Sequence, residues 1–119
     1  MSKPQHGERW TFHLIQMIHA IHKIEKYVQG MSRDEFLADE KTIDAVIRNL
    51  EILGEATHHI PNKVRKAYSG IQWVALRHMR NFLAHEYFNV DPQIIWETIA
   101  RDLNGLKMSL RRVSRDAAI

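Results

Sequence analysis

The chain of 119 residues contains no cysteine and only three prolines and five glycines. The absence of cysteine excludes disulfides, thiol catalysis and zinc sites built on thiolates, so a metal site would need histidine and carboxylate ligands. No apolar run approaches the roughly 20 residues of a membrane-spanning helix. The polar start from Met1 to Arg9 is not followed by the apolar stretch of a signal peptide. We therefore expect a cytoplasmic protein that does not enter a membrane.

The composition is that of a globular protein. Hydrophobic residues make up 45% of the chain and charged residues 26%, which argues against disorder. A chain of this length corresponds to about one domain. No internal repeat or low-complexity tract divides the sequence, so we predict that residues 1–119 form a single domain.

Charge is distributed unevenly, although the net charge is only +3. The segment from Ser32 to Glu55 has seven acidic and three basic residues, whereas the segment from Ala56 to His85 has no acidic residue, five lysines or arginines and four histidines. Such a basic stretch is typical of a surface that attracts anions, the alternative being a chance distribution in a basic protein.

Apolar residues recur at three- and four-residue steps along most of the chain, which predicts an all-helical fold. The expected core stripe of a first helix over 8–29 is Phe12, Ile15, Ile18, Ile21 or His22, and Val28. The expected stripe of a second helix over 40–60 is Ile43, Ile47, Leu50, Leu53 and Thr57. A third helix would bury Trp73, Leu76, Met79 and Leu83, and a last one Trp96, Ile99, Leu103, Leu106, Leu110 and Val113.

Capping residues mark where these helices begin and end. Gly30 is a stop signal, Ser32 with Glu35 has the form of a capping box, and Asp91 followed by proline starts a helix. Four substantial helices with short connections predict an antiparallel four-helix bundle with one or two short extra helices, one of them over 62–68. We expect residues 113–119 to form a frayed tail.

The segment from Arg77 to Phe88 has the densest set of functional side chains. At about 100° per residue, Leu76, Met79, Phe82 and Leu83 would face the core, whereas Arg77, His78, Asn81 and His85 would face away from it. Asn81 lies four residues before His85 and is placed to orient its ring. Arg80 and His85 are about 140° apart on a straight helix. Either the helix breaks near Ala84, or a second copy of the chain completes the site.

Arginine and histidine without a carboxylate pair or metal ligands suit phosphodiester chemistry. A guanidinium is always protonated and stabilises charge on phosphoryl oxygens, and an imidazole takes or gives a proton near neutral pH. With RNA the 2′-hydroxyl can be the nucleophile, so neither a protein nucleophile nor a metal is required. A surface ion pair for Arg80 and a helix-end histidine for His85 are the structural alternatives.

The run from Arg80 to Tyr87 reads Arg, four residues, His, one residue, Tyr. It resembles the signature of the HEPN superfamily, in particular its HepT-like toxin branch. Other stretches that resemble this branch are Glu25-Lys26-Tyr27 with Gly30, residues 36–42, residues 44–56, Trp73, Met79-Arg80-Asn81, Tyr87-Phe88, Val90-Asp91 and Ile95-Trp96. Together they cover most of the chain, from about residue 25 to residue 110.

The resemblance implies a homodimer of HEPN-like helical bundles with the motif at a cleft between the subunits. It implies a metal-independent endoribonuclease that needs no cofactor and is the toxin of a type VII-like toxin–antitoxin system. Arg80 and His85 would be catalytic, and Asn81 would support them. The partner would be an MNT-type nucleotidyltransferase antitoxin that uses ATP to transfer AMP to Tyr87. The adenylate would place a negative phosphodiester close to Arg80, where it competes with RNA.

Further residues and functions remain open at this point. Arg77, His78, Lys63 and Lys66 are additional candidates for RNA binding, and each is also a normal solvated side chain. A non-catalytic helical module that binds a nucleotide or a nucleotidyltransferase would use the same basic stretch. A metal-binding bundle based on His19, His22 and Glu25 would require matching Glu and Glu-x-x-His sets on other helices, and the sequence has none, so we predict no metal site.

Overall fold

The computed structural model describes residues 5–119, with side chains from Arg9 onward; residues 1–4 of the polar start lie outside the described residues. The α-helices are α1 (Gln5–Val28), α2 (Arg33–Leu37), α3 (Glu40–Ala56), α4 (Asn62–Ala67), α5 (Trp73–His85), α6 (Pro92–Thr98) and α7 (Asn104–Asp116). Two short 3-10 turns, Thr57–His59 and Tyr87–Asn89, and a π-helical segment, Ile99–Leu103, complete the order of elements. Residues 5–119 contain no strand, which confirms the all-helical prediction.

The helix ends follow the capping residues of the sequence. Ser32 and Glu35 form the predicted capping box: the Glu35 N–H donates to Ser32 Oγ at 3.1 Å, and the Ser32 N–H donates to Glu35 Oε1 at 2.8 Å. Gly30 ends the first helix with a φ of 78°, which glycine adopts without strain. Asp91 caps α6 by accepting a hydrogen bond from the Gln93 N–H at 2.9 Å.

Helix α3 lies at the centre of the bundle, where it packs against both α1 and α5. Helix α6, the π segment and α7 form one continuous rod, because the backbone keeps right-handed helical torsions at Thr98, Ile99 and Asn104. This last rod packs against α1 through α7. The four long rods form the predicted four-helix bundle, and α2 and α4 are its short extra helices. None of the described helices is both long and apolar enough to cross a membrane.

The predicted core stripes of the second and last helices are confirmed. The buried stripe of α3 consists of Ile43, Ile47, Leu50 and Leu53 and continues into Thr57, whose hydroxyl donates to the Gly54 carbonyl. Leu103, Leu110 and Val113 are buried on the last rod. Trp73 and Trp96 also pack as core residues: Trp73 is buried and donates from Nε1 to the Tyr68 carbonyl at 3.1 Å, and the Trp96 ring contacts Phe36.

The predicted core stripe of the first helix is confirmed at Ile21 and is wrong at Phe12 and Ile15. Phe12 and Ile15 are exposed, and Ile18 and Val28 only flank the core. Besides Ile21, the buried residues of α1 are Leu14, Met17, Ala20 and Ile24. Apolar residues cover two neighbouring faces of α1, and packing against α3 and α7 selects one of them.

The predicted frayed tail is also wrong, because α7 continues to Asp116. Val113 is buried, and the Tyr68 hydroxyl donates to Asp116 Oδ2 at 2.6 Å. Ser114 Oγ donates to the carbonyl of Ile119 at 2.7 Å. Tyr68 lies 48 residues before Asp116 in the chain, so no sequence pattern near the C-terminus predicts this contact.

Helices α3 and α5 approach closely at Gly54, which is buried. A Cβ atom at this position would lie 2.5 Å from Arg80 Cβ and 2.6 Å from the Leu76 carbonyl oxygen. Neither is the free end of a flexible side chain, so any larger residue would push the two helices apart. The contact holds Arg80 directly against α3.

Between α5 and the last rod the packing is open. A cleft of about 520 Å³ separates them. The side chains that line it include Leu53, Leu76, Met79, Ile99, Leu103 and Leu106. Helix α5 is therefore supported mainly by α3.

We expect Gly54→Ala to lower the free energy of unfolding by about 1–2 kcal/mol, because overpacking costs more than the helix propensity gained from alanine. Gly105→Ala is the matched control: it also lies within a helix, and a Cβ atom added there would have open space around it to 4 Å. That substitution should raise stability by about 0.5–1 kcal/mol. Urea denaturation followed by circular dichroism measures both, and equal effects of the two substitutions would contradict the close contact.

Candidate functional site

The helix that carries the Arg-x4-His-x-Tyr motif does not break before its histidine. Helix α5 continues to His85, and the Glu86 N–H still donates to the Phe82 carbonyl at 2.8 Å. Arg80 and His85 therefore lie about 140° apart around one continuous helix. Of the two arrangements expected from the sequence, a break near Ala84 is excluded.

Arg80 lies against α3 and is held by two acceptors. Its Nε donates to Glu55 Oε1 at 3.0 Å, and one terminal nitrogen donates to Asn81 Oδ1 at 3.1 Å. The side chain is 35% exposed, so its outer edge can still reach a ligand. Asn81 thus contacts Arg80 in this protomer and not His85, the residue it was expected to orient.

Tyr87 follows in the 3-10 turn and reaches the other end of α3, where its hydroxyl donates to Asp44 Oδ1 at 2.5 Å. This hydrogen bond raises the pKa of the Tyr87 phenol, and partial loss of water and the negative charges of Asp44, Glu40 and Glu51 add to the effect. Tyr87 is therefore protonated at neutral pH. Its side chain remains accessible, with 40% of its surface exposed.

Tyr87 and Arg80 are held at separate positions along α3. Their acceptors, Asp44 and Glu55, are eleven residues apart, which is roughly 16 Å along the axis of a helix. The expectation that a group on Tyr87 lies close to Arg80 is thus not met within one protomer. Arg80, the earlier of the two motif residues, pairs with the later residue of α3, and Tyr87 pairs with the earlier one. This order is expected when α3 and α5 are antiparallel.

The His85 side chain is exposed and forms no hydrogen bond or ion pair with any residue in the described range. On the same outward face of α5 lie His78 and two exposed apolar side chains, Val74 at 60% and Phe82 at 52% exposure. The prediction that Phe82 faces the core is therefore wrong, whereas Leu83 is buried as expected. A histidine flanked by exposed apolar side chains occupies this face.

The basic stretch from Ala56 to His85 is partly neutralised in three dimensions. The acidic helix α3 runs beside α5, and its Glu55 carboxylate pairs with Arg80. The other predicted RNA-binding residues are scattered. Arg77 is half-buried and His78 is exposed on α5, whereas Lys63 and Lys66 are exposed on α4. Lys63 lines a separate groove with Trp10 and Asp116.

A pocket beside Arg80 brings together charged and aromatic side chains whose juxtaposition the sequence did not predict. His13 on α1 stacks on His59 with ring centroids 3.8 Å apart and planes at 11°. The two histidines line a cavity of about 200 Å³ together with Arg80, Arg48 and Glu55. Desolvation lowers the pKa of His13, the neighbouring His59 lowers it further, and a hydrogen bond with Gln16 opposes both.

Two of the three considered metal ligands on α1, His22 and Glu25, have other partners. Glu25 accepts a hydrogen bond from Lys107 Nζ at 2.9 Å, and His22 Nε2 lies 3.0 Å from a terminal nitrogen of Arg111. Within the part of the chain that the structure describes, no group of three or more His, Asp or Glu side chains could hold a metal ion.

Comparison with known proteins assigns the family. The family model described as HepT-like, "Ribonuclease HepT-like", matches residues 17–113. The chain belongs to the HepT-like ribonuclease family. This confirms the resemblance to the HEPN superfamily noted in the sequence, and the HepT-like chain is accordingly an enzyme of the ribonuclease class. No solved structure matches it.

Curated relatives of the HepT-like chain carry ribonuclease names. It is 37% identical over 103 residues to "Probable ribonuclease HepT" of Thermococcus cleftensis. The aligned residues make up 87% of this chain and 94% of the relative. It is 37% identical over 86 residues to "Putative RNase TTE0752" of Caldanaerobacter subterraneus subsp. tengcongensis, with 72% and 77% covered. A Methanocaldococcus jannaschii protein, "Putative RNase MJ0127", is 35% identical over 103 residues, with 87% and 85% covered.

We expect the stability of this chain to fall as the pH drops below about 6.5, the usual pKa of histidine. Because the folded state lowers the pKa of His13, the unfolded state takes up a proton at a higher pH. His13→Gln should show a smaller loss of stability between about pH 7.5 and 5.5. His19→Gln changes an exposed histidine on the same helix and is the control. Thermal unfolding measures all three proteins, and an identical loss in His13→Gln would contradict the assignment.

Proposed function

We propose that this chain is a metal-independent endoribonuclease whose active site is shared between two protomers. The observation that carries the proposal is the placement of Arg80 and His85 on different sides of one unbroken helix. A single α5 cannot aim both side chains at one phosphate. In a dimer, Arg80 of one protomer can instead meet the partner's His85.

The outward face of α5 supports association through this helix. Val74 and Phe82 are more than half exposed there, beside His78 and His85. Exposed apolar side chains that lie together on one helix face are typical of a surface that another protein covers. An isologous contact through this face would place both copies of His85 inside the interface region.

In the proposed mechanism the substrate supplies the nucleophile. Arg80 binds the scissile phosphate and stabilises the negative charge that develops on its oxygens. The 2′-oxygen attacks phosphorus as its proton is removed, and the bond to the 5′-oxygen breaks as that oxygen gains a proton. His85 acts as general base or general acid in this exchange. The products are a 2′,3′-cyclic phosphate and a 5′-hydroxyl.

We expect cleavage of RNA to persist in EDTA and to fall by about 10²–10³-fold in Arg80→Ala and 10²–10⁴-fold in His85→Ala. Arg101→Ala is the control, because this exposed arginine lies on the last rod and is already paired with Asp102. The cyclic phosphate is detected by mass spectrometry of the products. A requirement for magnesium, or full activity of His85→Ala, would refute the mechanism. Tight nucleotide binding without any cleavage would instead favour a non-catalytic binding module.

We expect a mixture of Arg80→Ala and His85→Ala proteins to recover activity, if subunits exchange. Random pairing makes half of the dimers mixed, and each mixed dimer has one intact composite site out of two, so about a quarter of wild-type activity should return. If Arg80 and His85 acted within one protomer, both sites of the mixed dimer would be damaged and no activity would return. Light scattering of each variant first establishes that dimers form.

We further propose that the chain is the toxin of a toxin–antitoxin pair and is silenced when a nucleotidyltransferase partner transfers AMP to Tyr87. The Tyr87 oxygen would attack the α-phosphorus of ATP, pyrophosphate would leave, and Asp44 is placed to take the phenolic proton. Phe88, which is 95% exposed beside Tyr87, provides an apolar contact for such a partner.

Silencing would act on His85 rather than on the Arg80 of the same chain. An adenylate replaces the phenolic hydrogen, so Tyr87 can no longer donate to Asp44. That hydrogen bond anchors the 3-10 turn two residues after His85. Its loss, together with an added bulky anion, would displace His85 and obstruct the facing subunit.

We expect a mass gain in multiples of AMP after co-expression with a neighbouring nucleotidyltransferase, and no gain in Tyr87→Phe. Tyr27→Phe is the matched control, since Tyr27 is also about two-fifths exposed but lies on α1. Intact-protein mass spectrometry gives the result. An unmodified wild-type protein, or a modified Tyr87→Phe variant, would overturn the proposed switch.

A further inference from the structure

We propose that the pocket formed by His13, Arg48 and His59 beside Arg80 binds the nucleotide next to the scissile phosphate of the RNA strand. This inference rests on the proposed ribonuclease function and adds a second contact point for the same substrate. The pocket draws its residues from α1, α3, α5 and the 3-10 turn after α3. It is thus complete within one protomer.

Arg48 is the first reason to assign a phosphate to this pocket. It is exposed on α3 and lies seven residues before Glu55, the acceptor that holds Arg80. Within the described range it makes no hydrogen bond and no ion pair. Seven residues are two helical turns, so Arg48 and Glu55 project from the same side of α3, roughly 10 Å apart along its axis. This separation suits two groups that bind successive units of one strand.

The stacked histidines are the second reason. His59 is exposed, whereas His13 is half-buried beneath it and is also contacted by the edge of the Phe12 ring. The stack therefore ends in an exposed imidazole face, and exposed aromatic faces bind unpaired bases by stacking. Arg48 and His59 line the same cavity, which lets one nucleotide place its phosphate on the first and its base on the second.

The charges around the pocket match a strand that is bound weakly and released. The cavity is lined by two arginines, Arg48 and Arg80, and by two carboxylates, Glu51 and Glu55, so the fixed charges cancel, and Glu55 is already engaged by Arg80. A phosphate bound at this pocket would raise the pKa of His13, which desolvation and the neighbouring His59 lower in the free protein. Binding of RNA at this pocket should therefore strengthen as the pH falls towards the histidine range.

The proposal is tested with a short fluorescent RNA whose 2′-hydroxyls are methylated, so that it binds but is not cleaved. We expect Arg48→Gln and His59→Ala each to weaken binding about tenfold, as expected for the loss of one charged phosphate contact or one stacked base. Arg48→Gln should also reduce the slope of log affinity against log salt by about 0.7, the value for one phosphate contact to a single strand. Fluorescence anisotropy gives both quantities.

The control is Arg101→Gln, which removes the same charge from the last rod, at an arginine that is 70% exposed. It should leave binding and salt dependence unchanged, and circular dichroism checks the fold of every variant. Wild-type affinity and salt slope in Arg48→Gln would overturn the pocket. Equal weakening by Arg101→Gln would also overturn it, because the effect would then be one of overall charge.

Cleavage assays separate this proposal from the ribonuclease mechanism. If wild-type protein binds the methylated RNA through Arg48 but cleaves no ordinary RNA, the pocket stands and the catalytic proposal fails. If cleavage follows Arg80 and His85 while Arg48→Gln binds and cleaves as wild type, the mechanism stands and the pocket fails. Wild-type protein that binds no RNA at all would refute both.

Discussion

The close packing of α5 on α3 at Gly54 is the constraint on which the candidate site depends. Only a residue without a side chain lets the Leu76 carbonyl and Arg80 Cβ come this near to the central helix. At that separation the Arg80 guanidinium reaches Glu55, and the turn that follows α5 reaches Asp44. One small residue in the last turn of α3 thus helps to set the positions of a cation and a phenol that lie at opposite ends of the contact.

Helix α3 serves as the electrostatic partner of the motif. Its carboxylates are spaced so that one binds Arg80 and another binds Tyr87, while Arg48 lies between them without a partner among the described residues. A cation that is half satisfied by protein is held in place and still has donors for a ligand. Helix α3 therefore fixes the positions of Arg80 and Tyr87, while the Arg80 guanidinium keeps donors that a ligand can use.

The sequence predicted what depends on short-range chemistry. Capping residues such as Ser32 and Asp91 act within their own turn, and the apolar period of α3 is unambiguous, so both predictions are confirmed. The register of α1 was not predictable in this way, because apolar residues on two faces leave the choice to tertiary packing, as Phe12 and Leu14 illustrate. The C-terminal turn is ordered by Tyr68, 48 residues away. His13, Arg48 and His59 come from separate elements, and only the folded bundle places them in one pocket.

The open cleft between α5 and the last rod leaves the motif helix closely packed on one flank only. A helix wedged between neighbours moves only if packed atoms are displaced, which densely packed interiors resist. Here α5 is clamped along one flank and faces about 520 Å³ of unfilled space along the other. A tilt of α5 about its contact with α3 would therefore displace fewer packed atoms than the same motion of a helix enclosed on both flanks.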